Sequence, residues 1–321
     1  MPESRHKRLI TQHLNQLETI TIKHNQCGVL IASYLKQGRA LLLDVDGVIC
    51  KADSLDHPEL TTPHIINNIK KLESTGRKVG IATARGSQIT DYLRFEHGLR
   101  LDGPLIYEEG QVMVIDGEKI YLSNPNHTGF IKSVRAELKM HKAFSKSWQM
   151  AKEIYENRGV VTFCPGDTQW QGECRASFWF FSDEKTKHGR DIIISMFEPT
   201  LTKLSAMHKL DYKNDLSISV GRMSVGNLGI LSIKGKKEGQ PINKGTAARL
   251  LRERWIFVAD GLGDISLAFE TRQNNGLVIG IEGNLDDSDE PHKFLENADC
   301  VLSTPEDFAK ALDYASFCLN Y

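Results

Sequence analysis

Residues 40–48 read Ala-Leu-Leu-Leu-Asp-Val-Asp-Gly-Val, an apolar run that stops at Asp44 and Asp46 and turns at Gly47. A buried strand does not end in two carboxylates without a reason, because burying such charges is costly unless a cation or a proton neutralises them. The pattern points to a Mg²⁺ site, since hard cations take oxygen ligands, or to a nucleophile paired with an acid/base. The plain alternative is a strand followed by an Asp-rich turn.

Three later stations favour chemistry. The apolar run 79–82 ends at Thr83, followed by Ala84, Arg85 and Gly86, so a hydroxyl and a guanidinium stand where a second strand meets a helix. Lys244 opens the helical segment KGTAARLLRER. The strand WIFVA at 255–259 ends in Asp260-Gly-Leu-Gly-Asp264, a second acidic pair.

Around these stations, strand-length runs alternate with helical ones: strand 39–44, helix 63–75, strand 78–82, helix 87–97, strand 104–107. Such alternation implies a parallel sheet with helices on both faces. Thr62 as N-cap, Pro63 at the first helical position and Gly76 past the end punctuate the first of these helices. Ligands of such sheets bind at the carboxyl ends of strands, where Asp44, Thr83 and Asp260 fall.

Between about 108 and 236 the rhythm changes, and the stretch is long enough for a domain of its own. It opens on QVMVIDGEKIYL, two alternating strands about an Asp-Gly turn. Helical stretches follow near 130–157 and 188–209, with strands at 159–164, 174–181, 215–220 and 228–233, and GKKEGQPIN at 235–243 reads as a linker. In DTQWQGECRASFWFF, Trp170 is a candidate for stacking on a sugar ring, and Glu173 and Arg175 for binding hydroxyls or a second anionic group. The alternative is that Phe178 and Phe180 pack a core on one strand face while the polar residues face water. Lys185, Lys187, His188 and Arg190 form a basic cluster that could attract an anionic substrate, although exposed charge at a helix start is the favoured reading.

Taken together, the chain resembles the haloacid dehalogenase superfamily of aspartate-nucleophile phosphohydrolases. Asp44-Val-Asp46-Gly47-Val48 matches its first motif, Thr83 its second, Lys244 its third, and Asp260 with Asp264 its fourth. IATARG resembles the second motif of the sugar-phosphatase branch with a type-2 cap (C2B, similar to the Cof and sucrose phosphatases), and GLVIGIEGN and ADCVLSTPEDFAKAL resemble that branch's closing elements. The resemblance implies a Rossmann-like doubly wound α/β core at 38–107 and 236–321, an inserted α+β cap at 108–235, and an N-terminal helical extension at 1–37.

It also implies a Mg²⁺-dependent phosphatase for a phosphorylated sugar or sugar-like small molecule. Asp44 would attack phosphorus and Asp46 would protonate the leaving oxygen and then activate water. The Asp44 carboxylate, the Asp46 carbonyl, Asp260 and Asp264 would hold the metal, and Thr83 with its neighbours Ala84 and Arg85, together with Lys244, would hold the phosphoryl oxygens. The fourth motif departs from the branch, with Ala259 in place of its first glycine and Gly263 in place of its asparagine. The alternatives are a phosphomutase of the same superfamily and a non-catalytic binding protein on this scaffold.

Composition adds bounds. The 321 residues suit two domains. A net charge of −1, from 40 basic and 41 acidic residues, gives no support for nucleic-acid binding. Apolar stretches are too short to span a bilayer and MPESRHKR leads into no signal core, which points to a cytoplasmic protein without a membrane partner. The six cysteines lack paired spacing, so reduced thiols are expected, with Cys164 and Cys174 as possible neighbours across a hairpin. In the first 37 residues, Leu9, Ile10, Leu14 and Leu17 mark one helical face and Val29, Leu30, Ile31, Tyr34 and Leu35 a second, a helical pair for packing on the core or against a second subunit of an oligomer.

Overall fold

The computed structural model describes residues 23–50, 61–159, 161–165, 172–181, 187–222, 228–251, 253–282 and 294–320. Strands in chain order are β1 (Ala40–Leu43), β2 (Val79–Ala82), β3 (Leu105–Tyr107), β4 (Val112–Ile115), β5 (Glu118–Tyr121), β6 (Thr162–Pro165), β7 (Arg175–Phe181), β8 (Leu216–Arg222), β9 (Leu228–Lys237), β10 (Gln240–Pro241), β11 (Trp255–Ala259), β12 (Leu277–Ile281) and β13 (Cys300–Leu302). The helices used below are α1 (residues 23–36), α2 (Pro63–Ser74), α3 (Gln88–His97), α4 (His127–Lys139), α5 (Trp148–Arg158), α6 (Lys187–Met207), α7 (Lys244–Ala248), α8 (Ile265–Gln273) and α9 (Pro305–Leu319). The chain divides into two compact units, one of Met1–Ile81, Arg94–Pro104 and Leu251–Tyr321, the other of Ala82–Leu93 and Leu105–Leu250.

In the first unit, β1 pairs in parallel with β2 on one side and β11 on the other, and β12 and β13 continue outward from β11, also in parallel. β1 and β11 are buried along their whole length, so both read as continuous apolar runs without alternation. Because the chain leaves β1 towards β2 and returns on its other side at β11, the strand order reverses beside β1. A doubly wound sheet opens its ligand crevice at that point.

Helices finish this unit. α2 starts at Thr62 with Pro63 behind it and ends before Gly76 at φ +79, although the Thr62 hydroxyl makes no capping bond. α1 buries Cys27, Ile31 and Leu35 at four-residue spacing and leaves Val29 about half exposed. It approaches α9 so closely that a Cβ on Gly28 would lie 2.7 Å from the Ala311 carbonyl oxygen, and His24 pairs with Asp307 at 3.0 Å. The second helical face of the extension therefore packs within this unit; Leu9, Ile10, Leu14 and Leu17 lie outside the described residues.

In the second unit, β3, β4 and β5 form an antiparallel meander. The Asp116-Gly117 turn has positive φ at both residues, the conformation that matches strand twist in a two-residue hairpin. This hairpin hydrogen-bonds onto β3, and the other sheet runs β10-β9-β7-β6 with β8 on β9. Phe178 and Phe180 of β7 join Phe130, Phe163, Phe197 and Leu231 in its apolar core, as the packing alternative anticipated.

Two local readings change. The helical stretch expected over 130–157 is two helices, because the chain between α4 and α5 extends: Phe144 bridges to Phe163, and Ser147 caps α5 by accepting the Met150 N–H at 3.3 Å. The linker expected at 235–243 is instead a hairpin, β9 to β10, turning at Glu238 and Gly239, both at positive φ. All six cysteines are free, and Cys164 lies opposite Trp179 rather than Cys174. No helix among the described residues is long and apolar enough to cross a membrane.

Candidate active site

The first unit gathers three of the predicted residues. Leu43 of β1 is in register with Val258 of β11, so the two strands end side by side, with Asp44 following one and Asp260 following Ala259 of the other. Asp264, 2 % exposed, lies in the turn that leads into α8. Carboxylate oxygens of Asp44, Asp260 and Asp264 all lie within 4.8 Å of one another. Three like charges that close, two of them on buried residues, call for positive charge, and an all-oxygen donor set is what a small divalent cation prefers.

The backbone holds this cluster. The Asp44 N–H donates to the Val258 carbonyl at 2.9 Å, and Asp44 Oδ1 accepts the Val45 N–H at 2.8 Å. Gly47 is indispensable to the packing: at φ +71, a Cβ there would sit 1.6 Å from Asp260 Oδ2. A Cβ on Gly263 would meet nothing within 4 Å. Asp46 is partly exposed, bridges to Cys50 and is not a member of the three-carboxylate group.

The second unit holds the other predicted residues. Thr83 is fully buried; its N–H donates to the Ile106 carbonyl at 2.8 Å and its hydroxyl oxygen accepts the Arg85 N–H at 3.1 Å, which folds 83–85 into a tight turn. Lys244, 3 % exposed, opens α7 behind an Asn243 cap in which Asn243 Oδ1 accepts the Thr246 N–H at 2.9 Å. Among the described residues of the segment expected to be helical from Lys244 onward, only Lys244–Ala248 are helical.

Arg175 and Glu173 are occupied by the protein itself. Arg175 donates from Nε to Ser232 Oγ at 3.1 Å and from Nη1 to the Ala84 carbonyl at 2.8 Å, and Nη2 pairs with Glu109 at 3.0 Å. All three nitrogens of the guanidinium are engaged. Glu173 accepts from Lys119 and from the Tyr121 hydroxyl, both at 2.6 Å. Trp170 and Lys185 lie outside the described residues, as do the side chains of Lys187, His188 and Arg190.

Sequence reasoning missed Glu109 and Lys234. Glu109 pairs with both Arg175 and Lys234. Burial works to raise its carboxyl, but the nearby Arg175, Lys234 and Lys244 charges outweigh that and hold it at about 2. The available signal was Glu108-Glu109-Gly110 directly after a buried strand, the same strand-end logic that singled out Asp44.

The sequence pattern of the haloacid dehalogenase-like hydrolases matches residues 41–253, and the chain belongs to that family. No curated protein matches the sequence. Among solved structures, the chain is similar to a trehalose-6-phosphate phosphatase related protein (TM-score 0.51, 14 % identity, 87 % of this chain and 97 % of that one). It is also similar to TM0651 from Thermotoga maritima (TM-score 0.51, 17 % identity, 86 % and 96 %) and to the trehalose-6-phosphate phosphatase of Aspergillus fumigatus (TM-score 0.50, 13 % identity, 89 % and 97 %). At these identities the likeness is one of fold.

Proposed function

We propose that this hydrolase is a Mg²⁺-dependent phosphatase that cleaves a phosphomonoester of a sugar or sugar-like small molecule through an aspartyl-phosphate on Asp44. The observation that carries the reading is the Asp44, Asp260 and Asp264 cluster at adjacent strand ends, in a chain of this family. The donor set fits Mg²⁺, which when bound would neutralise charge on the phosphoryl oxygens. Asp44 is the nucleophile in this reading, its carboxylate oriented by the Val45 N–H that Oδ1 accepts.

Asp46 has the partial exposure suited to exchanging a proton with a leaving alcohol and then with water. Thr83 and Lys244 take the phosphoryl oxygens in this reading, on the strength of their motif positions. Residues 38–107 and 236–321 form the catalytic domain and 108–235 the cap that selects substrate. The sugar is proposed from the family branch that IATARG resembles.

The test is phosphate release from a panel of hexose, amino-sugar, disaccharide and non-sugar phosphates, with Mg²⁺ or EDTA. Release from at least one phosphosugar, abolished by EDTA and reduced by about a thousandfold or more in Asp44→Asn, is expected. Full activity in Asp44→Asn would sink the mechanism, and preference for a non-sugar ester would remove the sugar assignment.

A further inference from the structure

Glu108 and Glu109 are consecutive non-glycine residues in the left-handed region, at φ +55 and +56. Such backbone is unfavourable and persists only where the surroundings hold it. Here each carboxylate supplies part of that hold. Glu108 accepts the N–H groups of Glu173 and Cys174, both at 2.7 Å, and fills the place where a Cβ on Gly172 would lie. Glu109 takes Arg175 of β7 and Lys234 of β9.

The same turn reaches two of the residues assigned to phosphate. The Glu109 N–H donates to the Thr83 carbonyl at 3.1 Å, and the Glu108 N–H to the Arg85 carbonyl at 3.0 Å. Arg175, held by Glu109, closes the loop by donating to the Ala84 carbonyl. On the other side, Gly110 lies so close to α7 that a Cβ would be 2.1 Å from the Asn243 carbonyl oxygen, one residue before Lys244. The turn touches the Thr83 loop and the start of α7 at once.

We propose that Glu109 is a positioning residue for phosphate binding: its backbone holds Thr83, its carboxylate holds Arg175 on the Ala84 carbonyl beside it, and its neighbour Gly110 packs on Asn243 next to Lys244. The inference rests on the proposed phosphatase reading, which gives Thr83 and Lys244 their role. It makes a prediction opposite to simple electrostatics. Removing a negative charge near Lys244 should tighten an anion if charge alone mattered; loss of positioning should weaken it.

The experiment measures inorganic phosphate binding by calorimetry, and KM and kcat for the best substrate of the panel, in wild type, Glu109→Gln and Glu109→Asp, with thermal unfolding and Mg²⁺ binding as controls. Phosphate affinity should fall by about tenfold in Glu109→Gln, KM should rise in parallel while kcat stays within about threefold, and Mg²⁺ binding should not change. Glu109→Asp, which keeps the charge on a shorter arm, should recover part of the affinity and keeps the test open if the amide variant fails to fold. Unchanged or tighter phosphate binding in folded Glu109→Gln overturns the inference and leaves the phosphatase reading standing. A wild type that releases phosphate from no ester and binds none overturns both.

Discussion

The protein gathers charge in two contrasting ways. At the ends of β1 and β11, three carboxylates converge within 4.8 Å, so the arrangement accumulates one sign. In the second unit, one carboxylate, Glu109, is set among Arg175, Lys234 and Lys244. The first arrangement is costly as bare protein and becomes favourable with a divalent cation; the second is compensated within the chain and serves as structure. A cluster of charged side chains is therefore informative about function chiefly through its sign balance.

The carboxylate cluster is most vulnerable at Gly47. Gly47→Ala places a Cβ in the space of the Asp260 carboxylate and forces an L-residue to φ +71, a strain of about 1–3 kcal/mol. Mg²⁺ affinity should drop by about tenfold or more, with little change at Glu109, because the two clusters share no residue. Wild-type Mg²⁺ binding in Gly47→Ala would show that Asp260 is not held where the cluster needs it.

A smaller effect separates buried neutrality from buried pairing within the second unit. Burial holds the His127 imidazole at about 4, with its Nε2–H donating to the Cys174 carbonyl at 2.9 Å. From about pH 6.5 down to 4 the unfolded chain takes up a proton that the folded imidazole refuses, so stability falls as pH drops through that window. Glu109 acts lower: its folded carboxyl stays ionised to about 2 while the unfolded one protonates near 4.5, so its contribution is present above that range and lost below it.

Each group is worth at most about 3.4 kcal/mol across its window. Urea unfolding as a function of pH should lose slope between pH 6.5 and 4 in His127→Asn, and between 4.5 and 2 in Glu109→Gln. Profiles parallel to wild type would contradict both assignments.

Much of the first unit was legible because local pattern and tertiary role coincide there. Leu41–Leu43 and Ile256–Val258 are apolar since both faces of their strands are buried, and the abrupt carboxylates after them stand out for the same reason. Thr62 and Pro63 marked the start of α2, although the capping hydroxyl turned out to be unused.

The second unit was harder to read, because its determinants are long-range. Arg175 reads as a ligand until Glu109, 66 residues earlier, and Ser232 on the neighbouring strand are seen to occupy it. Glu173 was hidden in the same way behind Lys119 and Tyr121. The break between α4 and α5 depends on Phe144 and Ser145 finding Phe163, a contact that helical periodicity does not reveal. The left-handed pair Glu108-Glu109 carries no glycine signal, since partners hold the backbone there.

The most direct measurement is a calorimetric titration of Mg²⁺ into wild type, Asp260→Asn and Asp264→Asn, without substrate. One saturable ion per wild-type chain is expected, with binding weaker by about tenfold or more in each variant and the fold retained. No saturable binding by the wild type, or equal binding by all three proteins, would contradict the claim that these strand-end carboxylates form the metal centre of this hydrolase.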